Sequence, residues 1–219
     1  MLMRIASRSA LDAQLAALSG ERISGRELTY RRGAVVFSQG DEANSVYQMI
    51  SGAVRAYKRL GDGRRQISSF HLVGDMFGLE NGPAHRFTAQ AVTATVVRVT
   101  CRRRLFDAIE YQEAGRTKLL SLVTRNLQHA EDHMLLLGRK TALEKVAAFL
   151  LEMDERQAYP SVINLPMSRR DIADYLGLTL ETVSRALSTL RDDRMLRFEG
   201  QTQRRVVLLD REGLAQLEI

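Results

Sequence analysis

Residues 168–190 read Ser168-Arg169-Arg170-Asp171-Ile172-Ala173-Asp174-Tyr175-Leu176-Gly177-Leu178-Thr179-Leu180-Glu181-Thr182-Val183-Ser184-Arg185-Ala186-Leu187-Ser188-Thr189-Leu190. Ser168 with Asp171 three places on is a capping box, which opens a helix bearing Ile172, Ala173 and Leu176. Gly177-Leu178 breaks that helix. Thr179 then serves as N-cap of a second helix with Val183, Ala186, Leu187 and Leu190 on one face. Two short helices joined by a brief turn containing glycine make a helix-turn-helix. Small Ala173 lets the helices approach, Gly177 can adopt the left-handed turn conformation, and β-branched Val183 fills the angle between them. An ordinary helical hairpin is the alternative, but it demands none of these residue types at fixed offsets.

The outer face of the second helix sharpens the reading. Glu181, Ser184 and Arg185 lie at i, i+3 and i+4 and share a face opposite Val183, Leu187 and Leu190. Arginine offers a bidentate fork to guanine O6 and N7, glutamate accepts from cytosine N4, and serine is a small adaptable donor or acceptor. On an arbitrary helix Glu181 and Arg185 would be a solvated ion pair; in the first half of a recognition helix they meet base edges. Arg194 to Glu199, Gln201 to Gln203 and Arg204 to Leu209 follow as strand, turn and strand, a wing. Arg169, Arg170, Thr179, Thr182, Arg204 and Arg205 are the expected phosphate contacts, which position without specifying. For Arg204 and Arg205, plain solubility is an equal explanation.

Upstream, Thr141-Ala142-Leu143-Glu144 is a further capping box, opening a helix with Val146, Ala147, Leu150 and Leu151 on one face. Tyr159-Pro160 to Pro166 is a short extended connection. Before Gly138, the residues Leu120, Val123, Leu127, Ala130, Met134 and Leu137 step by 3, 4, 3, 4 and 3, an a/d seam. A seam this narrow predicts a helix–helix interface, here a dimerisation helix, over packing on the helix's own domain. From Arg31 to Thr100 the period shortens to that of strands: 35–37, 46–50, 53–59, 66–72, 87–92 and 95–99. The turns between them include Gln39-Gly40-Asp41, Ser51-Gly52, a hairpin at Asp62-Gly63, and Gly74-Asp75. Short antiparallel strands so spaced form a sandwich or barrel. The predicted organisation is α+β: a β-roll (jelly roll) over 1–110, a dimerisation helix over 111–137, and a winged helix-turn-helix over 138–219, with Gly138 and Arg139 at the boundary.

Of the 219 residues, 45% are hydrophobic, enough for packed cores; Lys+Arg 32 against Asp+Glu 26 leaves a net charge of +6. A basic balance suggests a polyanionic partner. No run approaches the roughly 18 apolar residues of a membrane span, and the apolar stretch near the N-terminus is interrupted by Asp12 and Gln14, unlike a signal peptide. A cytoplasmic protein with no membrane partner is expected. One cysteine, Cys101, excludes an internal disulfide framework and any multi-cysteine metal site. Arg102 to Arg104 beside it would promote thiolate and redox chemistry, although a buried, inert thiol is the simpler expectation. His129 and His133 have metal-compatible i,i+4 spacing but no third ligand, so solvated side chains are expected. His71 and His85 form no His-x-His pair of the kind a cupin-type enzyme uses, and no nucleophile–base pair appears elsewhere. The chain reads as a non-enzyme without a cofactor.

The Gly40-Asp41-Glu42 turn, the Ile50-Ser51-Gly52-Ala53-Val54 hairpin, Gly74-Asp75-Met76-Phe77-Gly78 and Glu181-Thr182-Val183-Ser184-Arg185 together resemble the CRP/FNR family of bacterial transcription regulators. The resemblance runs from about Arg26 to Leu217. Residues 171–185, 78–83 and 85–89 are similar in particular to FixK-type members, which control microaerobic respiration and nitrogen-fixation genes. The resemblance implies a homodimeric activator that recruits RNA polymerase and reads double-stranded DNA through Glu181, Ser184 and Arg185. Its half-site would be of the TTGAT type, with an inverted copy about four base pairs away. Ser184 and Leu180 depart from the cyclic-AMP type, which tends to carry glycine and a base-contacting arginine there. The family's cyclic-nucleotide pocket is degenerate: Glu80 is displaced by one place, and Phe87 intrudes between Arg86 and Thr88. Cysteines for an iron–sulfur cluster are missing from the N-terminal region. A cyclic-nucleotide-responsive regulator, or a nucleotide-binding module without a DNA role, is the alternative.

Overall fold

A computed structural model describes residues 8–19, 25–157 and 160–217. The chain forms two compact units, one running from Ala6 to His129 and one containing Ala130–Ile219.

The first unit opens with helix α1 (Arg8–Ser19) and strand β1 (Arg26–Tyr30). It continues through β2 (Val35–Phe37), β3 (Ser45–Ser51), β4 (Val54–Arg59), β5 (Arg65–His71), β6 (Met76–Phe77), β7 (Thr88–Ala91) and β8 (Thr95–Cys101) to α2 (Arg102–Glu110). Two four-stranded antiparallel sheets result, in the orders β1-β8-β3-β6 and β2-β7-β4-β5. Alternate residues of each point inward, so Phe37, Tyr47, Met49, Val54, Phe77, Ala89 and Val97 make one core. This is the expected β-roll. The β3–β4 turn depends on Gly52, at φ 83°; a side chain there would meet the Ala94 carbonyl at 2.4 Å.

Neither α1, α2, β1 nor β6 follows from the sequence patterns. The two helices share a second core of Leu18, Val46, Met76, Leu105 and Ile109. A buried polar network ties α1 to the roll: Arg98 Nη1 donates to Gln48 Oε1 at 3.1 Å, and Arg98 Nη2 reaches Asp12 and Glu27. Gln48 Nε2 in turn donates to the Leu11 carbonyl at 2.9 Å. Arginine suits this site because its planar fork satisfies several acceptors at once.

Helix α3 (Glu113–Arg139) is one unbroken element of 27 residues, about 40 Å long at 1.5 Å per residue. Leu120, Val123, Leu127 and Met134 are 67%, 49%, 57% and 66% exposed, Ala130 is exposed and Leu137 half-buried. The predicted seam is therefore an uncovered apolar stripe on the single chain. The compact units divide at 129/130, within α3, upstream of the boundary expected at Gly138 and Arg139, and His133 and Leu136 are buried in the C-terminal unit.

That unit continues with α4 (Ala142–Glu155), β9 (Val162–Asn164), α5 (Arg169–Leu176), α6 (Leu180–Asp192), β10 (Leu196–Glu199), β11 (Arg205–Leu208) and α7 (Arg211–Gln216). The Thr141/Glu144 capping box is present in full. Strands order as β10-β11-β9, so the connection after α4 contributes a strand that completes the wing's sheet. Among the described residues, no helix is long and apolar enough to cross a membrane.

Replacing a group in a buried hydrogen-bonded charge network strands its partners. Arg98→Ala is expected to destabilise the first unit by about 2–4 kcal/mol, read as a lower urea midpoint, with α1 becoming sensitive to protease. An unchanged midpoint would show that the network contributes nothing.

Candidate nucleic-acid interface

The interface is built from the turn outward. Ser168 Oγ accepts from the Asp171 backbone N–H at 3.1 Å, and Asp171 Oδ2 accepts from the Ser168 N–H at 3.1 Å, completing the predicted capping box. Gly177 closes α5 at φ 64°, ψ 35°, the left-handed conformation, with its N–H directed to the Ala173 carbonyl. The Leu178 N–H reaches the same oxygen at 3.0 Å. Thr179 Oγ1 accepts from the Thr182 N–H at 3.2 Å and caps α6. Ala173, Val183, Leu187 and Leu190 are buried between the helices and the rest of the unit.

With that face buried, the opposite one is turned out. Glu181 and Arg185 are exposed and Ser184 is half-buried, so the three predicted base-reading residues come together on the first half of α6. The Glu181 carboxyl is held below the usual glutamate range, chiefly by its own backbone N–H, then by the Thr179 hydroxyl and the nearby Arg170 and Arg185 cations. It is thus an anionic acceptor at neutral pH, as recognition of an amino group requires.

The six expected phosphate contacts differ in their surroundings. Arg170 is exposed beside Glu181. Thr179 and Thr182 share the α6 cap, their hydroxyls 2.9 Å apart. Arg204 Nη1 donates to the Pro166 carbonyl at 3.3 Å. Arg205 pairs with one Glu199 oxygen at 2.8 Å while Arg197 takes the other at 2.8 Å. Arg169 points into its own unit: Nη1 donates to Ser184 Oγ at 3.4 Å, Nη2 to Gln203 Oε1 at 2.5 Å, and the guanidinium lies 5.6 Å from the Phe198 ring centroid. Helical periodicity gives no signal for this, because Arg169 is the first residue of α5, where side-chain direction is set by the neighbouring wing.

The end of α3 also departs from expectation. His133 is buried, where a solvated side chain was expected. Its Nε2 donates to the Tyr175 carbonyl at 3.0 Å, and its ring lies 4.0 Å from that of Tyr175. The reason is that the last turn of α5 leaves carbonyls without helical partners, and a ring N–H supplies one. Tyr175 is fully buried and donates to Glu152 Oε2 at 3.1 Å; burial and the glutamate's charge hold its phenol protonated far above the usual range.

In the first unit, the loop carrying Glu80, Arg86 and Thr88 closes on itself. Glu80 Oε1 accepts from the Arg86 backbone N–H at 3.4 Å and lies 3.5 Å from His85 Nδ1. Thr88 Oγ1 accepts from the Gln39 N–H at 3.0 Å, and the Arg86 guanidinium lies over the Phe87 ring. The interior beside it is filled by rings: His85 stacks on Phe37 at 3.5 Å, and Tyr47 on Phe77 at 5.1 Å. Cys101 is exposed, contrary to the expectation of a buried thiol. It is the last residue of β8 and the N-cap of α2, where the chain leaves the sheet for the surface.

Residues 144–217 match the model of the Crp-like helix-turn-helix domain, and residues 27–112 that of the cyclic nucleotide-binding domain. The nitrogen fixation regulation protein FixK of Rhizobium meliloti is 46% identical over 81% of this chain and 79% of its own length. That of Azorhizobium caulinodans is 41% identical over 97% of this chain and 85% of its own. The solved structure of FixK2 from Bradyrhizobium japonicum superimposes with a TM-score of 0.84 and 52% identity, over 89% of this chain and 98% of that one.

Gly177→Ala tests the turn that aims α6. The added Cβ would lie 3.6 Å from Leu137, an ordinary contact, so the cost is backbone strain alone. A loss of about 1–2 kcal/mol from the C-terminal unit is expected in urea denaturation; an unchanged stability would rule out the left-handed turn.

Proposed function

The chain belongs to the CRP/FNR family of bacterial transcription regulators, in its FixK-type branch, and from that premise we propose that it acts as a homodimer reading an inverted repeat of TTGAT-type half-sites. Glu181, Ser184 and Arg185 are the base-contacting residues in this reading; Arg170, Thr179, Thr182, Arg204 and Arg205 hold phosphates. The observation that carries it is the α6 face itself. An acid held anionic, a small hydroxyl and an exposed guanidinium stand together on the first half of a helix whose other face is buried. Those positions are the ones a recognition helix presents to base edges in the major groove.

In this reading the dimer rests on α3. A 27-residue helix with a sustained 3,4 apolar stripe, exposed from Leu120 to Met134, is suited to pack against a second copy of itself. Two α6 helices would then enter successive major grooves about 34 Å apart. The genes controlled are of the nitrogen-fixation type, as the relatives' names suggest, and of the microaerobic type by the family resemblance. Activation proceeds by recruitment of RNA polymerase in the cytoplasm.

The packed interior of the roll favours this reading over cyclic-nucleotide control. Glu80 accepts from the loop's own backbone, and the rings of Phe37, Tyr47, Phe77 and His85 pack together, Phe37 stacked on His85 and Tyr47 on Phe77. A nucleotide base would have to displace them, losing close-packed contacts.

Fluorescence anisotropy at about 150 mM salt should show the palindrome bound at least about a thousandfold more tightly than scrambled duplex. Arg185→Ala should cost about 1–3 kcal/mol per half-site and relax the preference for guanine. Equal affinity for the two duplexes overturns the reading. Separately, Leu127→Asp should convert the dimer to monomer in sedimentation at micromolar protein, because it buries a charge in the seam. A dimer that survives this change uses another surface.

A further inference from the structure

We propose that Arg169 is a positioning residue, not a phosphate contact: it turns the Ser184 hydroxyl into a donor aimed at a base acceptor and tethers the wing beside it. The part concerning Ser184 rests on the reading of α6 as the recognition helix.

The first argument is geometric. One guanidinium touches three elements of the C-terminal unit at once. From the start of α5 it reaches Ser184 on α6, Gln203 in the wing turn and the ring of Phe198 on β10. Arginine has donors in a fixed plane and no acceptor, so satisfying Ser184 and Gln203 together fixes that plane and turns the fork inward. The N–H groups spent on Ser184 and Gln203 are withdrawn from any phosphate contact.

The second argument concerns the hydroxyl. Serine has one O–H to donate and two lone pairs. With a lone pair occupied by Arg169 Nη1 at 3.4 Å, the repulsion of the guanidinium turns the Ser184 proton away from Arg169 and toward the exposed face. Ser184 is then biased toward acceptors such as thymine O4 or purine N7 and O6, and against amino groups.

The third concerns the wing turn. Gln203 is not a glycine, yet stands at φ 53°, a left-handed conformation that is strained for a residue with a side chain and needs support from its surroundings. The turn's own backbone bond, Gln203 N–H to the Gly200 carbonyl, is long at 3.5 Å. Beneath the turn lies a cleft of about 300 Å³, lined by Met167, Ile172 and Leu187 together with Arg169, Gln201 and Gln203. The Arg169–Gln203 bond at 2.5 Å is the side-chain brace from α5.

Two variants separate the roles. Arg169→Lys keeps the charge and would preserve a phosphate contact, but cannot span Ser184 and Gln203; Arg169→Gln removes the charge. In the free protein, hydrogen exchange at Gln201 to Arg204 should quicken about tenfold in both variants, with α6 unchanged. On the palindrome, both should reduce discrimination at one base pair of each half-site by about tenfold. Ser184→Ala should do the same, and Ser184→Ala with Arg169→Lys should lose no more than either alone. The dependence of log affinity on log salt should keep its slope in Arg169→Gln. A slope reduced by about 0.9 per half-site, with base ranking intact and wild-type affinity in Arg169→Lys, would overturn the proposal in favour of a phosphate contact. Wild-type protein that does not prefer the palindrome defeats the proposed function instead, and unchanged exchange in the variants defeats the tether whatever the DNA result.

Discussion

The angle between α5 and α6 governs what the C-terminal unit can present to a partner. It is set where Gly177 takes a left-handed conformation and both its N–H and that of Leu178 return to the Ala173 carbonyl. With Ala173 small enough for close approach and Val183 closing the angle at zero exposure, α6 has one rotational setting that buries Val183, Leu187 and Leu190. Exposure of Glu181 and Arg185 is the geometric remainder of that burial. The outward face is therefore determined from inside, by the packing side of the helix.

Tyr175 carries the same constraint further back along the chain. It is the largest fully buried side chain among the unit's described residues, donates to Glu152 on α4, packs edge-on to Phe149 and has its carbonyl bound by His133 at the end of α3. A rotation of α5 would disturb each of these partners together, and α5 carries Arg169 at its start. Helix ends usually leave carbonyls to water; here one is covered by a ring from the helix that bears the exposed apolar seam. The last turns of α3 therefore belong mechanically to the domain that carries α6.

What the sequence disclosed and what it hid divide along physical lines. Capping boxes at Ser168 and Thr141 and the break at Gly177 are local signals whose meaning depends on residues within a turn or two, and they appear as read, while the 3,4 seam of α3 appears as an exposed apolar stripe. The strands of the roll were legible for the same reason, through alternation and turn glycines. Hidden features depend on distant partners. Helix α1 is recognisable only once Gln48 and Arg98, far along the chain, supply its contacts. His133 looks like a solvated side chain until Tyr175 arrives 42 residues later. Cys101 ends an alternating strand whose pattern suggests burial, yet it is the residue at which the chain turns off the sheet.

Charge shows the same division. The whole excess of +6 lies before Gly138, and residues 138–219 of the C-terminal unit, which hold the helix-turn-helix, are neutral. Within that unit several arginines already have protein partners: Arg169 holds Ser184 and Gln203, Arg204 the Pro166 carbonyl, Arg205 and Arg197 Glu199, and Arg211 Asp154 and Glu155. Arg170 and Arg185 remain exposed around Glu181. A neutral surface gives little non-specific attraction to a polyanion, since that attraction scales with the number of phosphates neutralised. Discrimination must then come from directed hydrogen bonds, which are sensitive to tenths of an ångström in donor position. Such an interface gains more from arginines that hold other side chains in place than from arginines that add charge.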